Sequence, residues 1–294
     1  MAYTLSNLIR DGIQKMGRPA YHMLKATGGS TTTVIDTNLD TQYIDSDSAV
    51  NGTVLVTYDA GGASAAPENE YARVSSFAES TLTLTVDTLT SAVASGDRVM
   101  FISSQYPLIE LERMANQTLQ DMGRITLIDT SLTSADNQTE YTIPAACRGE
   151  QIVAVHIQTN LNDANDNRRI PITGFQQVQD GPSGTPLLIM PQLPAGYTIY
   201  LTYNGIHPTL TAYSSAISDT IEPKRIVWKF AENLWRWKQP TSQAEIQRMN
   251  EAISKAEEME RMYPVYRTKK RPPQNVYGNG DFRRRSDVVD GVPL

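Results

Sequence analysis

The chain is 294 residues long and carries 26 Lys and Arg against 32 Asp and Glu, a net charge of −6. That length suggests two domains, or three small ones, at roughly 100–200 residues each, and the acidic balance argues against a general nucleic-acid binder. A single cysteine, Cys147, excludes an internal disulfide framework, and three histidines leave little material for a structural zinc site.

The first element is a helix over Thr4–Met16. Leu5, Leu8, Ile9, Ile13 and Met16 recur at helical spacing, Thr4 suits the start and Gly17 the exit. Thr33-Val-Ile, Gly52–Tyr58 and Thr81–Val86 then alternate or are β-branched, with turns at Asn51-Gly52, Asp59–Gly62 and Ser95-Gly-Asp97. Residues 20–104 therefore read as a small β barrel or sandwich. A second helix spans Pro107–Met122, with Leu108, Leu111, Ala115, Leu119 and Met122 in one stripe and Gly123 at its exit. Strand patterns return at Ile125–Ile128, Tyr141–Ile143, Gln151–Gln158, Leu187–Met190 and Tyr197–Tyr203. A third helical region opens at Pro223. Val227, Trp228, Phe230, Ala231, Leu234, Trp235 and Trp237 cover roughly 200° of its surface, more than one core face requires. Pro240 breaks it, and Ser242-Gln-Ala-Glu245 reads as a capping box opening another helix toward Tyr263.

From Pro264 the character changes. Seven basic residues against three acidic ones give 264–294 a charge of +4, leaving −10 on the body. The segment is proline- and glycine-punctuated and without apolar periodicity, so an extended arm that folds on a partner is expected. Its basic and aromatic residues are Tyr266, Arg267, Lys269, Lys270, Arg271, Tyr277, Phe282, Arg283, Arg284 and Arg285. Three readings fit them: nucleic-acid contacts, a solvated tail, or a peptide arm laid on an acidic protein groove. The acidic body disfavours the first, and Tyr with Arg favours a protein interface. Trp228, Phe230, Leu234, Trp235 and Trp237 are expected to pack between helices or between subunits.

Signals for catalysis are sparse. Phosphate-loop, nucleophile-elbow and H-E-x-x-H patterns do not occur. His22, His156 and His207 lie far apart in sequence, and His156 and His207 read as structural. Cys147 has no neighbouring base. Asn160–Asn167 reads as a long hairpin turn rather than a calcium loop, lacking the glycine and distal glutamate. The expectation is no enzyme, no cofactor and no metal. Residues 1–17 show no secretory pattern, and the charge-free stretch Gly181–Ser218 holds five prolines, so no membrane helix is expected there. A soluble, cytosol-made protein follows.

An internal echo runs through the chain. Ile13–Arg18 resembles Leu119–Arg124, Ile35–Leu39 resembles Ile128–Leu132, and Thr53–Ala60 resembles Thr198–Gly205. The consistent order suggests two helix-plus-β modules. With Ala94–Asp97, Asp136–Pro144, Leu193–Gly196 and Tyr203-Asn-Gly-Ile-His-Pro208 added, the order over roughly residues 1–240 resembles the head-to-tail adaptor (connector) proteins of tailed bacteriophages. The resemblance implies a virion protein of the neck, at the head-tail junction, assembled in the host cytoplasm. It implies a self-associated ring of twelve identical subunits, docked beneath the portal protein ring and offering a platform to tail or nozzle and tube proteins. DNA would pass through the central channel without specific binding. A further tail, collar or baseplate component and a carbohydrate-binding adhesin are the alternatives.

The expected fold is α+β: a helical bundle body with two inserted small antiparallel β modules and an extended C-terminal tail. The expected segments are an N-terminal body helix 1–19, β module 20–104, body helix 105–123, β module 124–220, body helices 221–263 and basic arm 264–294.

Overall fold

The computed structural model describes residues 2–18, 20–39, 41, 44–62, 65–158, 169–178 and 184–264. They divide into two compact units, the first built from 1–123 and 206–264 and the second from 124–205. The tail-arm residues from Tyr266 to Arg285 and the Asn160–Asn167 turn lie outside the described residues.

The first unit begins with helix α1 (Leu5–Met16). Thr4 caps it by accepting the Asn7 N–H, and Gly17 ends it at φ +75°. A seven-stranded antiparallel sheet follows: β1 (Tyr21–Lys25), β2 (Gly28–Gly29), β3 (Thr33–Ile35), β4 (Thr53–Tyr58), β5 (Tyr71–Ala78), β6 (Thr83–Val86) and β7 (Arg98–Ile102). Its order is β1-β7-β4-β5-β6-β3-β2. The two ends of that order are consecutive pieces of one chain stretch. Gly96 N–H still donates to Ala26 O on the β7 side, whereas Thr27 N–H already donates to Ile35 O on the β3 side. The sheet thus closes into a small barrel, which removes its open edges. Leu24, Val34, Val54, Val56, Val74, Leu84, Val99 and Phe101 fill the interior. A one-turn helix, α2 (Ser46–Ala49), has a capping box between Asp45 and Ser48 and buries Ala49 in this core.

Strands β4 and β7 are buried on both faces. Val54, Val56, Val99 and Phe101 point into the barrel, while Leu55, Met100 and Ile102, on the alternate face, are also fully buried. The helices lie on that second face: Tyr71, paired with Leu55, donates from its hydroxyl to Glu112 at 2.6 Å. Glu112 belongs to α3 (Leu108–Asp121), which Pro107 precedes as N-cap residue. Helices α4 (Pro223–Lys238) and α5 (Gln243–Met262) complete the unit. Helix α4 packs on α1, α3 and α5 together, which accounts for its wide apolar arc.

The second unit holds β8 (Arg124–Thr133), β9 (Glu140–Thr142), β10 (Gln151–Gln158), β11 (Arg169–Ile172), β12 (Gln176–Val178), β13 (Leu187–Ile189) and β14 (Thr198–Ile206), whose last residue enters the first unit. They form sheets ordered β11-β10-β14-β8 and β12-β13-β9. Ile152, Val155, Ile157, Ile199, Leu201 and Tyr203 of one sheet meet Tyr141 and Leu188 of the other in one core, which also holds Cys147. Gln177 ties the two sheets, accepting from Ile152 N–H at 3.2 Å and donating to Glu150 O at 2.8 Å.

The expected helical bundle body with inserted β modules is therefore corrected. Among the described residues the protein is sheet-rich, with three antiparallel sheets, five helices, 29% helix and 31% strand. The long helices themselves lie within the expected spans, so the correction falls on the share and arrangement of the strands. Strand β7 reads Arg-Val-Met-Phe-Ile because both its faces are covered, so the alternation that marks a half-exposed strand is missing. Strands β1, β5, β11 and β12 also lack a clean alternation of apolar and polar residues.

The sequence echo proves local. Met16-Gly17 and Met122-Gly123 both leave a helix through a glycine, at φ +75° and +74°. Asp36 and Asp129 both accept the N–H two residues on, from Asn38 at 3.0 Å and Ser131 at 2.9 Å. But β3 lies between β6 and β2, whereas β8 lies at a sheet edge beside β14. The same turn chemistry serves two different strand orders.

Candidate functional site

Helix α4 carries the aromatic residues singled out in the sequence. Pro223 opens it at the first helical position, where its missing N–H costs nothing. Phe230, Leu234 and Trp235 are buried, at 0–1% exposure. The Phe230 ring sits against Gly12 of α1, so close that a Cβ at Gly12 would fall 2.3 Å from its Cδ1. Trp228 and Trp237 are half-buried at the margins. The Lys15 ammonium lies 5.0 Å above the Trp228 ring, and Trp237 meets Tyr106 at a centroid distance of 6.2 Å. Phe230 and Trp228 thus touch α1, Trp237 touches the loop before α3, and Leu234 and Trp235 are buried in the first unit.

Two polar clamps hold α5 to α4. At the turn between them, Lys238 pairs with Glu245 at 2.6 Å and lies over the Tyr106 and Trp235 rings, at 5.7 and 5.5 Å. Glu245 also serves the capping box with Ser242 and accepts from Thr241 N–H. These donors, the Lys238 ammonium first, pull the Glu245 carboxyl down to about 2. At the far end, buried Arg225 donates to the Tyr263 carbonyl at 2.8 Å and pairs with Glu260 at 3.3 Å. Between the clamps, only Ala252 and Ala256 of α5 are buried, while Ile246 and Met262 are exposed. Arg225 and Lys238 are signalled in sequence only as charges inside an apolar arc, and Gly12 only as a glycine inside a helix.

The cysteine and the three histidines are buried or half-buried. Cys147 is fully buried, and burial with Asp129 and Glu150 nearby pushes its thiol up to about 12. His207 is 3% exposed, with its Nδ1 2.8 Å from Pro208 O and its Nε2 accepting from Ser218 N–H at 3.1 Å. Burial, then Arg169, lowers the His156 pKa. A shallow depression of about 210 Å³ is lined by Arg18, His22, Asp36, Asn38 and Ile44. Its one carboxylate, Asp36, already accepts the N–H groups of Lys25 and Asn38. Among the described residues, no three His, Cys, Asp or Glu side chains are grouped to hold a metal ion, and no helix is long and apolar enough to cross a membrane.

Neither protein-family models nor curated proteins match this chain.

Proposed function

We propose that this protein is a non-catalytic structural subunit of the head-to-tail adaptor of a tailed bacteriophage. In this reading it forms a ring beneath the portal, extends the DNA channel and gives the tail its attachment platform. The observation that carries the reading is how α5 ends. Arg225 grips the Tyr263 carbonyl, so the chain is delivered to an exposed Pro264 at a defined point of the first unit. The segment that follows in sequence, 264–294, carries +4 against −10 for the rest of the chain. A basic arm launched from a fixed anchor suits docking on an acidic groove of a neighbouring protein ring. The sparsely buried α5 leaves Ile246 and Met262 for such a partner to cover. The sheet-rich build also favours, as a second reading, another tail, collar or baseplate component.

Sedimentation of the purified chain, alone and mixed with the portal ring encoded by the same genome, tests the proposal. Co-sedimentation near one copy per portal subunit is expected. A chain truncated after Tyr263 keeps every described core residue, the last being Ala256. It is expected to keep its circular-dichroism melt and lose portal binding. Full-length chain that stays separate from a folded portal ring overturns the adaptor reading.

A further inference from the structure

Residues 207–218 form a strap over the start of α1. Leu5 N–H donates to Ser215 O at 3.0 Å, Ser6 N–H to Tyr213 O at 3.1 Å, and Ile217 N–H to Tyr3 O at 2.8 Å. Leu5 and Ser6 would otherwise expose two of the unpaired amides of a helix N-terminus. Asn116 of α3 grips the strap midway, donating to Leu210 O at 3.0 Å and accepting its N–H at 2.7 Å. His207 closes the loop at its ends. Ser218 N–H can only donate, so Nε2 presents its lone pair; Pro208 O can only accept, so Nδ1 carries the hydrogen. The hydrogen bonds thus select one neutral tautomer of a ring that is 3% exposed.

We propose that His207 is a pH-sensitive latch: its neutral imidazole holds the strap closed over the N-terminus of α1, and protonation at Nε2 opens it. A proton on Nε2 would face the Ser218 N–H donor to donor. Ser218 must then withdraw, and with it the adjoining carbonyls that cap Leu5 and Ser6. No Asp, Glu, Lys or Arg lies between Ile206 and Ser218; Asp219 follows. On the elements the strap meets, the titratable groups are Tyr3, Arg10, Asp11 and Lys15 at and along α1, Glu110, Glu112, Arg113 and Asp121 on α3, and Glu70 and Tyr71 near Tyr213 of the strap itself. None of these is among the causes at His207. Burial lowers its pKa from 6.5, opposed by the Pro208 carbonyl. The open strap therefore takes up a proton near pH 6.5 while the closed one does not. Closure is fully stable above that pH and is lost as the pH falls below it.

The test is amide hydrogen exchange on the intact chain from pH 8 to 5, corrected for intrinsic rates, with the His207 ring followed by NMR. His207→Gln is the comparison, since glutamine can accept from Ser218 and donate to Pro208 without titrating. Protection at Leu5 and Ser6 is expected to fall progressively in the wild type as the pH drops from about 6.5 to about 5. It is expected to stay within about twofold in His207→Gln. His22→Gln and His156→Gln are expected to keep the wild-type fall. Equal pH dependence with and without His207 overturns the latch. So does wild-type protection that stays flat while the ring titrates, a result that needs no variant to fold.

Discussion

Gly12 shows what one side chain decides. A glycine in a helix interior costs about 1 kcal/mol relative to alanine in propensity terms, yet here its missing Cβ is the space in which Phe230 sits. Gly12→Ala is expected to destabilise the first unit by about 1–3 kcal/mol through overpacking, despite the propensity gain. Urea denaturation followed by tryptophan fluorescence reads this directly, and a more stable variant would refute the packing argument. Cys147 makes the complementary point. With its thiol pushed up to about 12 inside the second core, it is expected to resist alkylation at pH 8 and to react only as fast as that unit opens. Rapid labelling of the native protein would contradict the burial.

At the scale of elements, the turn between α4 and α5 joins sequence chemistry to tertiary packing. The capping box at Ser242 and Glu245 is legible from spacing alone and forms as expected. Ser242→Ala is expected to cost about 1 kcal/mol of stability. What spacing does not reveal is Lys238, seated across two aromatic rings, reaching back to the same Glu245. Since the Glu245 carboxyl lies at about 2 in the folded chain against 4.5 for the ordinary group, its contribution is present above pH 4.5. It is lost as the pH falls toward 2. Acid titration of α5 helicity is expected to show this loss, and Glu245→Gln to flatten it. An unchanged acid limb in the variant would show that other carboxylates govern it.

For the whole molecule, the two units have separate apolar cores, and all three tryptophans lie on α4 of the first unit. Tryptophan fluorescence is therefore a reporter of one unit. Leu201→Ala, in the core of the second unit, is expected to cost about 2–5 kcal/mol there. The far-UV circular-dichroism transition should shift or split, while the fluorescence midpoint moves much less. Coincident shifts of both probes would mean that the units unfold as one. The expected bundle body failed at this scale: helices were legible from their 3.6-residue stripes, but strands covered on both faces carry no period.

By itself, the sequence determined the helix limits, the glycine exits, the capping box and the central place of α4, because each rests on contacts within about four residues or on one wide apolar arc. Tertiary structure alone decided the rest. The barrel closes because the chain changes partner strand between Ala26 and Thr27. Phe230 finds its place against Gly12, and His207 joins Pro208 to Ser218. These outcomes depend on pairings between residues distant in sequence, whose register and closure are set by the shared core, so no local pattern encodes them.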